Sequence, residues 1–221
     1  MIRLDKELHL MSLVKSRTAA ADLIAEGKVT VNGVICNKPS HLVGENDTVE
    51  IVGEMLKYVS RGGLKLQHAL DVFGIDLTGK VCLDVGASTG GFTDCMLQSG
   101  AVKVYAVDVG SNQLDDKLKQ DSRVVSMENC DIRNMEIPKV DFTAVDVSFI
   151  SLKLILPVLS GEIISLIKPQ FELGKKHKGV ITDSKLQDKI VKDITQFANA
   201  KNVIESPIIG KSGNKEFLML I

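Results

Sequence analysis

The residues best suited to chemistry lie in one stretch, Val81–Phe92, which reads VCLDVGASTGGF. An apolar run, Val81-Cys82-Leu83, ends in Asp84. It opens into a small-residue loop with Gly86, Gly90 and Gly91 before Phe92 starts a helical pattern. A strand that passes through a glycine-rich turn into a helix is the arrangement of a nucleotide-cofactor site. Glycine lets the backbone come close to a ligand, and the helix start offers unpaired N–H donors. The loop lacks the Gly-Lys-Ser/Thr ending of a phosphate-binding P-loop, and its glycines do not have the G-x-G-x-x-G spacing of a dinucleotide site. An acid followed by G-x-x-x-G-G suits S-adenosylmethionine. The candidate contacts are Asp84, Gly86, Ala87, Ser88, Thr89, Gly90, Gly91 and Phe92. The bland alternative, a tight turn without ligand, would not need three glycines.

In open α/β sheets ligands sit beyond the carboxyl ends of the strands, so polar residues at those ends are candidates too. The second strand ends in Asp108, which suits a ribose diol. The third is followed by Asn129-Cys130-Asp131-Ile132, where Asp131 could meet an adenine amino group. The fourth ends in Asp146 within AVDVSFISL, the fifth in Lys168 within IKPQFE, and Glu216 begins the last strand in GNKEFLML. Asp108, Asp131 and Asp146 could instead be helix caps. Lys168, following the apolar run Ile163–Ile167, needs a partner if that strand is buried. Lys65 lies beside the apolar stripe Leu64, Leu66, Ala69, Leu70 and Phe73 of a helix. Lys65, Asp146, Lys168 and Glu216 are thus two bases and two acids expected to converge on one rim.

The elements that must position these groups alternate from Lys80 onward. Strands are expected near Val81–Val85, Val102–Asp108, Arg123–Met127, Phe142–Val147, Ile163–Ile167, Val203–Ile208 and Phe217–Leu220. Helices are expected near Gly91–Gln98, Leu114–Lys119, Ser151–Val158 and Leu186–Ala198. This pattern predicts an α/β, Rossmann-like fold with a seven-stranded, mostly parallel sheet ending in a hairpin-like pair. A small α+β domain over residues 1–57 precedes the larger domain at 58–221, with the boundary where the pattern breaks near Glu54–Ser60.

In the small domain a first helix carries Leu4, Leu8, Met11 and Leu13. A second, capped by Ser16, carries Ala19, Ala20, Leu23 and Ile24 and stops at Gly27. Val29–Val31 and Val34–Ile35 flank an Asn32-Gly33 hairpin turn, and 47–51 forms a further strand. The segment SRTAAADLIAEGKVTVNGVICNKP resembles the S4 RNA-binding module. The resemblance implies that Arg3, Arg17, Lys28 and Lys38 contact RNA phosphates, since RNA helices are read through shape and backbone. The bland reading, a solvated surface charge, fits Lys6 and Lys15. Eight acids face seven Lys or Arg over residues 1–57, so any basic face must come from segregation.

The 221 residues carry a net charge of −1, with 44% hydrophobic and 25% charged residues, an ordinary globular composition. No apolar run approaches the ~20 residues that span a bilayer, and the N-terminus lacks a secretory pattern. The four cysteines, Cys36, Cys82, Cys95 and Cys130, form no C-x-x-C pair. That argues against zinc or disulfides and for a reducing cytoplasm; no metal is expected.

YVSRGGLKL, DVGASTGGFTD, VYAVDVG, DVSFISL, IKPQFE and GNKEFL together resemble the TlyA-type, haemolysin A branch of FtsJ-like RNA methyltransferases. With the S4-like module the resemblance covers essentially the whole chain. It implies S-adenosylmethionine-dependent methylation of a ribose 2′-hydroxyl, in the family a cytidine, of ribosomal RNA or ribosomal subunits. By motif, it implies a catalytic tetrad of Lys65, Asp146, Lys168 and Glu216. Lys168 would accept the hydroxyl proton, and the two acids would orient the lysines. FELGKKHKGV is a few residues shorter than the family pattern, and Asp131 stands where Asn is commoner. The rival readings are a membrane-active haemolysin and a non-catalytic RNA-binding assembly factor.

Overall fold

The computed structural model describes residues 1–14, 16–25, 27–52, 57–174, 179–210 and 213–221, which form two compact units, Met1–Met55 and Leu56–Ile221. Lys15, part of the expected boundary near Glu54, and the middle of FELGKKHKGV lie outside the described residues.

The first unit runs β1 (Ile2–Arg3), α1 (Leu4–Leu10), α2 (Arg17–Ala25), β2 (Val29–Val31), β3 (Val34–Ile35), β4 (Leu42–Val43) and β5 (Val49–Ile51). Leu4, Leu8, Ala20, Ile24, Val29, Val43 and Val49 pack as its core. Ser16 Oγ accepts the Ala19 N–H at 3.1 Å and so caps α2. Asn32 and Gly33 both have positive φ, 53° and 77°, the hairpin turn that matches strand twist. Its strands pair in the antiparallel order β3-β2-β5. Met11 and Leu13, expected on the buried stripe of the first helix, are instead 47% and 44% exposed. The helix ends at Leu10 and Ser12 turns the chain at φ 57°, so the apolar period outlasts the helix. The two-residue strands β1 and β4, paired with each other, are too short to leave a periodic trace in sequence.

The second unit contains α3 (Gly62–Phe73), β6 (Val81–Val85), α4 (Gly91–Gln98), β7 (Lys103–Val107), α5 (Asp116–Lys119), β8 (Val124–Met127), β9 (Phe142–Val145), β10 (Glu162–Ile167), α6 (Pro169–Glu172), α7 (Ser184–Ala198), β11 (Asn202–Glu205) and β12 (Phe217–Leu220). The sheet order is β11-β12-β10-β9-β6-β7-β8. Only β12 runs against its neighbours, pairing antiparallel with β10 and β11. The chain winds from β6 outward through β7 to β8, then crosses to β9 on the other side of β6. The topological switch point, where such sheets bind ligands, is therefore the gap between β6 and β9.

Both faces of the sheet are covered. Cys82, Ala144, Ile164 and Leu166 join one core with Leu66, Phe92 and Met96; Leu83, Val145, Ile163 and Ile167 join the other with Ile155 and Ile194. This explains why the central strands read as mostly apolar runs. The helix expected over Ser151–Val158 is instead two short 3₁₀ turns, Leu152–Leu154 and Leu156–Val158. Pro157 has no N–H to give, and it pushes the residue before it away from continuous α-helix.

The segment leading into α3 is sewn to α4. Val59 N–H donates to Asp94 Oδ2 at 2.9 Å and Gln98 Nε2 to the Lys57 carbonyl at 3.1 Å. The Tyr58 ring is 2% exposed, and its hydroxyl donates to Gln67 Oε1 at 2.6 Å. A Cβ at Gly63 would overlap that ring, coming within 2.6 Å of Tyr58 Cβ. A ring pinned at both ends cannot yield, so Gly63→Ala should cost about 1–3 kcal/mol through overpacking. Thermal denaturation checks this; an unchanged melting temperature would mean the ring has room to shift.

Candidate active site

Register alone assembles most of the rim. Val85 pairs with Val145 and Ser165 with Val145, so Asp146 leaves β9 beside the end of β6. Ile167 pairs with Phe217, so Lys168 and Glu216 emerge side by side from β10 and β12. Lys65, near the start of α3, reaches the same end: its Nζ lies 2.5 Å from Glu216 Oε2. Lys168 Nζ lies 2.5 Å from Asp146 Oδ1 and donates to Ser148 Oγ at 3.0 Å. The four groups thus stand as two ion pairs. Lys65–Glu216 is the drier, with side chains 11% and 4% exposed against 12% and 22% for Lys168–Asp146.

The glycine loop touches this rim. Gly86 has φ 87°, and a Cβ there would lie 2.5 Å from the Asp146 carbonyl oxygen. Gly90 has φ 95°, and a Cβ would overlap Leu118 and stand 2.8 Å from Leu114. At Gly91 it would overlap Ser60 and come 3.0 Å from the Gly63 nitrogen. The glycines therefore serve the packing of the chain itself, beyond any ligand approach. Between them Ser88 and Thr89 are exposed, while Ala87 and Phe92 are buried. The N–H groups of Thr89, Gly91 and Phe92 meet no acceptor among the described residues, and they sit at the positive end of α4.

The acids divide by role. Asp108 accepts N–H groups from Ser88 at 2.8 Å and Gly110 at 2.7 Å, tying the glycine loop to the loop after β7. Asp131 caps the 3₁₀ turn at Ile132–Asn134 and is gripped by the Arg133 guanidinium, which pulls its carboxyl down to about 2. That is the helix-cap alternative realised. Ile132 is 4% exposed and belongs to the core. Asp84 is fully buried. Thr93 Oγ1 donates to its Oδ2 at 2.6 Å, while its Oδ1 has no partner. Burial, reinforced by the nearby Asp146 and Asp108 charges, pushes its carboxyl up to about 7 against the opposing Thr93 hydrogen bond.

Sequence reasoning passed over Ser148, Phe149 and Phe171. Phe149 is 87% exposed at φ 65°, a conformation a bulky side chain rarely takes. Its ring lies 4.9 Å from that of Phe171, over which Lys168 Nζ stands at 5.8 Å. The signal was a bulky aromatic embedded in the polar motif after Asp146. In the first unit, Arg3 and Arg17 both bind Asp5, Lys38 is exposed and Lys28 half-buried.

Sheet order, glycine loop and paired rim are those of a Rossmann-like methyltransferase with a small module ahead of it. The FtsJ-like methyltransferase family matches residues 58–221 and the S4 domain family residues 2–49; the chain belongs to the FtsJ-like methyltransferase family. It is 44% identical to Hemolysin A of Brachyspira hyodysenteriae across 98% of both chains. It is 39% identical to the 16S/23S rRNA (cytidine-2′-O)-methyltransferase TlyA of Mycobacterium tuberculosis across 98% of this chain and 88% of that one. A solved structure of a Streptococcus thermophilus protein described as a hemolysin superposes with a TM-score of 0.77. The two are 42% identical, with 99% of this chain and 86% of that chain covered.

Two outcomes follow from the loop. Gly90→Val should lower the melting temperature, because a β-branched residue at φ 95° also meets Leu118 and Leu114; a fully stable variant that has lost only cofactor affinity would contradict this packing. Asp84 binds a proton in the folded state that the unfolded chain releases above about pH 4. Stability should therefore fall as pH rises from about 4 to about 7 and level off above. Asp84→Asn should remove that component from a pH series of melting temperatures.

Proposed function

We propose that the protein transfers a methyl group from S-adenosylmethionine to a ribose 2′-hydroxyl of ribosomal RNA, in the cytoplasm where ribosomes are built, with cytidine as the target base by analogy with its TlyA relatives. The observation that carries this reading is the pair of ion pairs, Lys65–Glu216 and Lys168–Asp146, standing at the end of the sheet where Gly86 touches Asp146.

The residues fit the cofactor. The unpaired N–H groups of Thr89, Gly91 and Phe92 suit a carboxylate. Asp108 at the end of β7 keeps lone pairs for a ribose diol beyond its two backbone bonds, and Asp131 and Ile132 flank the place for an adenine. The bound cofactor would supply a methyl group already activated by its sulfonium. The chain's own residues do the rest. Asp146 and Ser148 hold Lys168 at a fixed place on the rim. Glu216 holds Lys65 at the same end of the sheet. Lys168, once it has shed its own proton, takes the proton of the ribose hydroxyl. Much of the acceleration comes from holding the reacting atoms in line, on the order of 7–11 kcal/mol in favourable cases. Phe149 offers a ring face on which an unstacked base can rest. The S4-like unit supplies Arg3, Arg17, Lys28 and Lys38 for RNA phosphates.

The membrane-active reading draws no support here: no helix among the described residues is long and apolar enough to cross a membrane. A relic without activity would have no need to keep two ion pairs at this end of the sheet.

Lys168→Ala should retain cofactor and RNA binding while methyl transfer falls by roughly 10²–10⁴-fold, the effect of removing a positioned general base. Lys168→Arg should not rescue, since a guanidinium does not release its proton in this pH range. Single-turnover methylation of ribosomal RNA by the two variants, with melting temperatures alongside, is the measurement. An active Lys168→Arg protein would reduce Lys168 to a positioning charge.

A further inference from the structure

The first unit holds a charge cluster built around one buried acid. Asp5, 5% exposed, sits in the first turn of α1. Arg3 on β1 donates from Nε and Nη2 to its two carboxylate oxygens at 2.9 and 3.1 Å. Arg17, the first residue of α2, donates from Nη2 to Oδ2 at 2.9 Å. Three elements are thereby joined through one carboxylate, yet the two arginine side chains remain 47% and 53% exposed. The Arg3 hydrogen bond, with Arg17 adding to it, holds the Asp5 carboxyl down at about 2, so the acid stays charged at any working pH. The backbone N–H of Asp5 donates to the Pro39 carbonyl at 3.1 Å. That bond also brings the loop carrying exposed Lys38 against the same corner.

Two guanidiniums on one carboxylate leave a net positive charge. Each guanidinium has five N–H donors; Arg3 gives two and Arg17 one to Asp5, and both point part of their surface at water. Long side chains that are free in solution lose rotamer freedom when they grip a phosphate. Here that ordering is already done by a group too buried to touch the ligand.

We propose that Asp5 is a positioning residue that locks Arg3 and Arg17 into one preorganised unit for gripping backbone phosphates of helical RNA; this rests on reading the N-terminal unit as RNA-contacting. The two arginines then act together rather than as separate surface charges. The acid that lowers the net charge of the unit raises its affinity for a polyanion.

That sign makes the test sharp. Removing the Asp5 charge adds one net positive charge, which by counterion release alone would tighten RNA binding; losing the preorganisation would weaken it. The probe is a fluorescently labelled RNA stem–loop, titrated with full-length protein across a salt series, with melting temperature and S-adenosylmethionine affinity measured in parallel. Arg3→Ala and Arg17→Ala should each weaken binding and make the salt slope shallower by roughly one. Asp5→Asn should weaken binding roughly 5- to 100-fold, the effect of freeing two long side chains. It should leave the slope no shallower and the cofactor affinity unchanged. In an Arg3→Ala/Arg17→Ala background, Asp5→Asn should have no effect or tighten binding. Tighter binding by Asp5→Asn alone, or a loss that persists undiminished in the double-alanine background, overturns the proposal. If neither arginine variant changes binding, the RNA-contact reading falls first and the proposal with it. Should Asp5→Asn unfold the unit, the arginines decide. A locked pair loses less in the double variant than the sum of its single losses, and simple additivity overturns the proposal.

Discussion

The close approach of Gly86 to the Asp146 backbone is the constraint on which the site depends. With a Cβ at residue 86 the distance to the Asp146 carbonyl would be 2.5 Å, so only glycine lets β6 and β9 end in contact. The Asp146 N–H meanwhile donates to the Val85 carbonyl at 2.9 Å, which fixes the two chain ends as a unit. Because β6 and β9 flank the topological switch point, this contact brings the glycine loop and the first acid of the rim to the same place. Neither loop needs a separate device to find the other.

Around that contact, charge is managed by pairing. Asp84, Asp146 and Asp108 crowd the ends of β6, β9 and β7. Each is settled differently: Asp84 by burial with Thr93, Asp108 by two backbone N–H groups, and Asp146 by Lys168. Buried ion pairs add little to stability once desolvation is counted. Glu216 and Asp146 each hold a lysine whose flexible four-carbon stem would otherwise leave its Nζ undefined. The antiparallel insertion of β12 between β10 and β11 makes this possible. It delivers Glu216 to the carboxyl end of the parallel strands, although Glu216 starts its own strand.

The N-terminal unit solves a related problem with the opposite exposure. Its core is small, with seven buried apolar residues among the described ones, and Asp5 ties β1, α1 and α2 at one corner. A carboxylate that would be costly to bury alone is compensated by three N–H bonds from two guanidiniums, and the compensation leaves those guanidiniums on the surface in a defined arrangement.

Much of this was legible in the sequence because its causes are local. Alternating apolar runs and glycine turns marked the strands β6 to β10 and β12. The glycines of Gly86–Gly91 marked the turn from β6 into α4. Polar residues just beyond apolar runs marked Asp108, Asp146, Lys168 and Glu216, because a strand buried on both faces leaves its chemistry only at its ends. What the chain cannot show by itself is pairing. That Lys65 meets Glu216, 151 residues away, and Lys168 meets Asp146 follows from sheet order, which is a property of the packed whole. The same holds for Asp131, whose carboxylate caps the turn that follows and pairs with Arg133, and for Met11 and Leu13, whose period continued after the helix had stopped. Composition counted eight acids against seven cations in the first segment and could not say where they went; the tertiary structure placed one of those acids beneath two of the cations. Local sequence determined the elements and the residue types at their ends, because strand and turn preferences act over a few neighbours. Only the fold decided which charges face each other, because that depends on register and crossing between segments far apart in the chain.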